Sequence, residues 1–163
     1  SQIDEYFVDT MKSYDDKPFC NIATDDLGLE SEEEKKETEA KQAEDKELLD
    51  FVKETLGEQV ASVRLSNKLV SSAVCLSTEG GVTLEMERYF RSMPGAPTDI
   101  RAVRVLELNA NHHAYQTMKE AFTAGDKDKA ARIAKILHAQ ALLIAGEPLE
   151  DPAAYSELVC TLI

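Results

Sequence analysis

Residues 127–145 read KDKAARIAKILHAQALLIA, and beyond Gly146 residues 152–163 read PAAYSELVCTLI. The first stretch puts Ile133, Ile136, Leu137, Ala141, Leu142, Leu143 and Ile144 on almost every side of a helix. A helix of that kind is central in a core or shared between an intramolecular and an intermolecular face. Asp126 and Gly146 are its expected cap and stop. Asp151-Pro152 opens the second helix, with Tyr155, Leu158, Val159, Leu162 and Ile163 spaced i, i+3, i+4, i+7, i+8 to the end of the chain. Burying such side chains is worth roughly 1.5–3 kcal/mol each, so the stripe needs a cover. A monomeric helical core supplies one reading. A homodimer in which two helices from each subunit form a four-helix bundle supplies the other.

Upstream, Asn111 is expected to cap a helix over about residues 114–124, ended by Gly125. Residues 60–65 (VASVRL), 73–76 (AVCL) and 103–108 (VRVLEL) read as three short strands. The fold class is therefore α+β: a mostly helical domain with a small three-stranded sheet. Ser31 and Glu34 have capping-box spacing, and one helix is expected from there to Leu56, stopped by Gly57. Its first half (EEEKKETEAKQAED) is polar and must project into solvent, with Glu32–Lys36 and Glu37–Lys41 as i,i+4 pairs. Only Leu48, Leu49, Phe51, Val52 and Leu56 form a stripe able to dock. Nearer the start, Ile3, Tyr6, Phe7 and Tyr14 have roughly helical spacing, Asp15-Asp16 predicts a turn, and residues 17–23 read as extended.

Residues 82–93 (VTLEMERYFRSM) align Val82, Met86, Tyr89, Phe90 and Met93 on one face. On spacing alone a core-facing stripe is the simpler reading. Gly80-Gly81 before it and Pro94-Gly95 after it raise the alternative of an exposed helix, whose methionines and aromatics would make an adaptable apolar surface.

The formal net charge is −13, and residues 1–56 hold 18 acids against 7 bases, whereas residues 57–163 hold 13 against 11. That balance argues against a phosphate-driven nucleic-acid binder and against docking on an anionic membrane. Cys20, Cys75 and Cys160 are too scattered for a disulfide framework or zinc knuckle, which suits a reducing compartment. No apolar run approaches the ~20 residues of a membrane span, and a cytoplasmic location is expected. The start at Ser1-Gln2 looks like a cut within a longer protein. No phosphate loop, nucleophile elbow or CxxC is present. No catalytic or metal-ligating residue is assigned. The alternative from another class is a small metal-dependent or acid–base enzyme around His112 and His113, and the plainest is a purely structural dimer module. His138, inside an apolar helix, reads as a packing residue.

Several segments together resemble one family. ERYFRSM after EM, then LELNANHH, then ALLIAGEPLEDPAAY with a final apolar helix, are similar to the C-terminal region of heat-shock protein 90 chaperones, most closely the bacterial HtpG type. VASVRLSNKLVSSAVCLST resembles the strand-loop-strand that opens that domain, and DEYFVDTMKSYDDK resembles the end of the family's middle domain. The resemblance implies that residues 1–23 end the middle domain and 24–163 form the C-terminal dimerisation domain. Within the latter it implies a mixed sheet with an amphipathic helix across 60–108, and dimer helices across 127–163 that build an intersubunit four-helix bundle. Interface positions would be Ile133, Ile136, Leu137, Leu143, Tyr155, Leu158, Val159 and Leu162. Client contacts would be Val82, Met86, Tyr89 and Phe90, with Met93 as an extension. The implied partners are a second copy and unfolded client proteins. No cofactor is expected in this fragment; ATP and Mg would belong to an N-terminal domain outside it, so the fragment itself would not be an enzyme. The first client position often holds a larger residue than Val82 in the family. The acidic co-chaperone-recruiting tail of eukaryotic members is absent, in keeping with the bacterial type.

Overall fold

Where the long acidic stretch acquires its first leucines, it meets the core. In a computed structural model, which describes residues 7, 8, 10–19, 32–66, 68–93, 95 and 100–161, this stretch is two helices. They are α1 (Glu32–Glu44) and α2 (Lys46–Leu56), separated at Asp45. The expected single helix over 31–56 is thus interrupted, and the cause is a buried carboxylate. Asp45 accepts the Tyr115 hydroxyl at 2.6 Å and the Lys119 ammonium at 2.7 Å, and its backbone leaves helical geometry (φ −90°, ψ 12°). The distortion is local, because Asp45 N still donates to Lys41 O and Leu49 N to Asp45 O. Beyond it Leu48, Leu49, Val52 and Leu56 are buried, as their spacing predicts, and Phe51 packs on Phe122 with ring centroids 5.1 Å apart. The Glu37–Lys41 pair forms at 2.9 Å, whereas the capping box at Ser31 and Glu34 and the Glu32 side chain lie outside the described residues.

The chain divides into two compact units, Ser31–Leu76 with Arg104–Ile163, and Ser1–Glu30 with Ser77–Val103. The first holds the main core. Strands β3 (Ser62–Leu65), β4 (Val74–Glu79) and β5 (Val103–Leu108) make a three-stranded mixed sheet in the order β3-β5-β4. Two shorter strands, β1 (Ser13–Tyr14) and β2 (Lys17–Pro18), belong to the second unit. β5 runs parallel to β3 with Arg64 opposite Glu107 and Leu65 opposite Leu108. As the central strand, β5 buries Val105, Leu106, Glu107 and Leu108 in succession, so the alternation legible in VRVLEL does not become alternating exposure. Leu106 and Leu108 join the core, as do Tyr115 and Met118 of α4 (His113–Thr123) and Ile133, Ala134, Leu137 and Ala141 of α5 (Lys127–Ile144). The final helix is α6 (Pro152–Cys160). Asp126 and Asp151 cap α5 and α6 as expected, accepting Lys129 N at 3.0 Å and Ala154 N at 2.9 Å. The cap of α4 is His112 rather than Asn111: its Nδ1 accepts Ala114 N at 3.1 Å. Asn111 instead donates its N–H to Asn109 Oδ1, within a turn that Asn109 also ties to Leu69 O and Ser72 O.

In the second unit, residues 7, 8, 10 and 11 are helical and Lys12, at φ 60°, ends that turn with its N–H on Val8 O. Tyr14 therefore lies not on a helix but in β1 (Ser13–Tyr14), which pairs antiparallel with β2 (Lys17–Pro18). Asp15 and Asp16 both take positive φ, the geometry of a tight hairpin turn that matches strand twist. Ile3, Tyr6 and residues 20–23 lie outside the described residues. This unit also holds α3 (Leu84–Ser92). The α+β class and a small mixed sheet within a largely helical chain agree with the expectation.

Burial first, and then the hydrogen bond to Asp45, push the Tyr115 phenol far above its ordinary value; the bond to Asp45 raises Lys119 as well. In the unfolded chain the phenol ionises near pH ~10. The folded state keeps its proton there, so this contribution is whole below about pH 10 and is lost as pH rises beyond it. Tyr115→Phe is expected to cost about 1–3 kcal/mol in urea unfolding at neutral pH and to flatten the alkaline fall in stability. An unchanged alkaline slope would contradict this.

Candidate functional site

Two apolar helix faces stand out, one in each unit. Gly80 and Gly81 both take positive φ ahead of α3, so chain reversal there needs residues without a Cβ. Thr83 then caps α3, its Oγ1 accepting Met86 N at 3.1 Å. Val82, Met86, Tyr89 and Phe90 are half-buried and Met93 is 43% exposed. None of the five is withdrawn from solvent as a core stripe would be. Tyr89 and Phe90 meet edge to face with centroids 5.9 Å apart. The one buried residue of α3 is a charged one, Glu87. Its carboxylate accepts Ala102 N at 2.8 Å and pairs with the Arg91 guanidinium. Sequence pattern did not single out Glu87, since a Glu in a polar-apolar helix looks like a solvated position.

The second face belongs to α5 and α6. Of the expected interface residues, Ile133, Ile136 and Leu137 are already buried within the single chain, whereas Leu143 is 50% exposed. Ile144, which the sequence-based set omits, is 65% exposed. Tyr155, Leu158 and Val159 are half-buried, and α6 as a whole has no buried residue. Leu162 lies outside the described residues. The link between the helices is held by polar contacts. Arg104 Nη2 lies 3.4 Å from the buried Glu147 carboxylate, Gln59 donates to Glu150 at 3.1 Å, and Glu147 N donates to Leu142 O at 2.8 Å. His138 is buried in α5, and burial pushes its pKa down, which keeps the imidazole neutral.

The groups that could carry chemistry are otherwise engaged. His112 spends its Nδ1 on the α4 cap, His113 is exposed, and no group of three potential metal ligands occurs among the described residues. Across the sheet, Arg64 of β3 donates to Glu107 of β5 through Nε at 3.1 Å, and the Cys75 thiol of β4 donates to the same carboxylate at 3.8 Å. Burial first, then the Glu107 charge, raise Cys75 to about 11. A thiol held protonated in this way is a poor nucleophile. No helix among the described residues is long and apolar enough to cross a membrane.

Comparison of the sequence with known proteins points to one group. The family described as Hsp90 protein matches residues 1–163. The chaperone protein HtpG of Bacillus velezensis is 39% identical over 161 residues, 99% of this chain and 25% of that protein. HtpG of Halalkalibacterium halodurans is 41% identical over 161 residues and that of Clostridium acetobutylicum 40% over 163, with the same coverage of each chain. The chain thus spans about a quarter of the length of the curated relatives it matches.

The Cys75 environment sets a reactivity order. At pH 8 the thiolate fraction of Cys75 is about a hundredfold below that of an unperturbed thiol, so iodoacetamide should modify exposed Cys160 well before Cys75, as peptide mass spectrometry would record. Glu107→Gln removes a raising charge and should speed labelling of Cys75. Equal rates at the two cysteines in the parent protein would contradict the assignment.

Proposed function

The chain belongs to the Hsp90 family, and on that premise we propose that it is the C-terminal dimerisation and client-contact region of an HtpG-type, ATP-driven chaperone. The observation that carries the proposal is α6: it presents Tyr155, Leu158 and Val159 yet buries no residue in the single chain, and Leu143 and Ile144 at the end of α5 are left exposed with it. Apolar burial of roughly 1.5–3 kcal/mol per large side chain is available to a second copy. Two α5–α6 pairs then form an intersubunit four-helix bundle, with Leu143, Ile144, Tyr155, Leu158, Val159 and Leu162 at its surface. Ile133, Ile136 and Leu137 support that surface from the subunit's own core.

On this reading residues 1–23 close the middle domain and 24–163 form the dimerisation domain. The bundle keeps two arms at high effective concentration, so closure of distant nucleotide-binding domains becomes an intramolecular event. ATP and Mg are bound by those domains, and this region does no covalent chemistry. The half-exposed Val82, Met86, Tyr89, Phe90 and Met93 give weak, sequence-tolerant apolar contact to unfolded clients in the cytoplasm.

Light scattering at micromolar concentration is expected to give twice the chain mass. Leu158→Glu should shift the mass to that of the monomer while leaving the far-UV spectrum near the parent's; a monomeric parent refutes the bundle. Separately, Met86→Ser with Phe90→Ser in the full-length protein should weaken unfolded-client binding at least tenfold without changing the dimer mass. Client affinity at the parent level would sink the client role of α3.

A further inference from the structure

An amphipathic helix that docks by apolar burial alone turns its apolar stripe toward the core and its acids outward. α3 departs from that pattern at one position: its most buried side chain is an acid, Glu87, 5% exposed, while Met86, Tyr89 and Phe90 are only half-covered. We propose that Glu87 is a positioning residue, a carboxylate tether that fixes the rotation of α3 about its own axis and so keeps the client-contact face half-exposed. The inference rests on the client role proposed for that face.

The tether is specific in its partners. Ala102, 5% exposed and just ahead of β5, has a backbone N–H that needs an acceptor once buried. Glu87 Oε2 provides it at 2.8 Å, across 15 residues of chain. Glu87 Oε1 pairs with Arg91 one turn on, which neutralises the carboxylate from the solvent side, since the Arg91 side chain is 57% exposed. Successive helical residues are offset by about 100°. With Met86, Tyr89 and Phe90 grouped together, Glu87 lies about a third of a turn from the middle of their face. Turning that face inward would carry the carboxylate away from Ala102 and leave a buried N–H without this acceptor, at a cost that outweighs part of the apolar gain. Glu87 therefore holds α3 to the chain ahead of β5 by a directional polar contact that does not use its apolar side chains, while the Thr83 cap stabilises the helix from within. A client can occupy those side chains without displacing what holds the helix.

Glu87→Ala, Glu87→Gln and Arg91→Ala in the full-length protein test this, with amide hydrogen exchange and unfolded-client binding read side by side. Glu87→Ala should speed exchange at Ala102 and across 84–92 by about tenfold or more, leave α2, α4 and α5 at parent rates, and weaken client binding as the apolar face turns inward. Glu87→Gln keeps an acceptor oxygen and should restore most of both, and Arg91→Ala should change little. Parent-like exchange at Ala102 and α3 in Glu87→Ala overturns the tether, as does exchange raised across all helices, which signals general destabilisation. Faster local exchange with undiminished client binding overturns the positioning role if the Met86→Ser, Phe90→Ser protein has lost binding. If that double variant also binds normally, the client reading itself has failed, and the tether stands or falls on the exchange result.

Discussion

A buried carboxylate has to be matched, and much of the arrangement in the larger unit follows from how Asp45 is matched. Tyr115 and Lys119, one turn apart on α4, both reach it, so the acidic helix is joined to α4 at the point where its apolar stripe begins. Below that point Leu48, Leu49, Val52 and Leu56 enter the core; above it α1 is free to be polar. The contact costs one residue of helical geometry and ends the run that local spacing would have carried through. α1 itself holds six acids against three bases, so it carries only a small part of the net charge of −13.

Buried acids recur as organisers. Glu107 joins the strands β3 and β4 through Arg64 and Cys75, Glu147 sets the link into α6 through Arg104, and Glu87 holds α3. Each is short of solvent and each has a defined donor, which is the condition under which a buried charge is tolerated. In each case the carboxylate joins elements that lie far apart in the sequence or fixes a helix against its neighbour.

The apolar surfaces complement that polar scaffold. α2 and the body of α5 spend their large side chains inside the chain, whereas α3, the end of α5 and α6 hold theirs at intermediate or high exposure. A stripe of five apolar residues looks alike in both settings. The distinction lies in what lies opposite, and for α6 the single chain provides no full cover.

Local chemistry written in the residues was enough for the helices with strong caps and stops: Asp126 and Asp151 as acceptors, Gly57 and Gly146 as ends, and the strand at 103–108 all stand where the spacing puts them. The family resemblance was equally legible, because it rests on colinear short segments rather than on contacts. What only the tertiary structure decided were matters of long-range pairing. The break at Asp45 needs Tyr115, 70 residues away; the unbroken burial of Val105 to Leu108 needs β5 to be the central strand; and the inward Glu87 needs the N–H of Ala102. Periodicity reports the face a residue occupies on its own helix or strand. It carries no information about which distant donor will make burial of a charge affordable, and that donor is what sets where these helices bend and which way they turn.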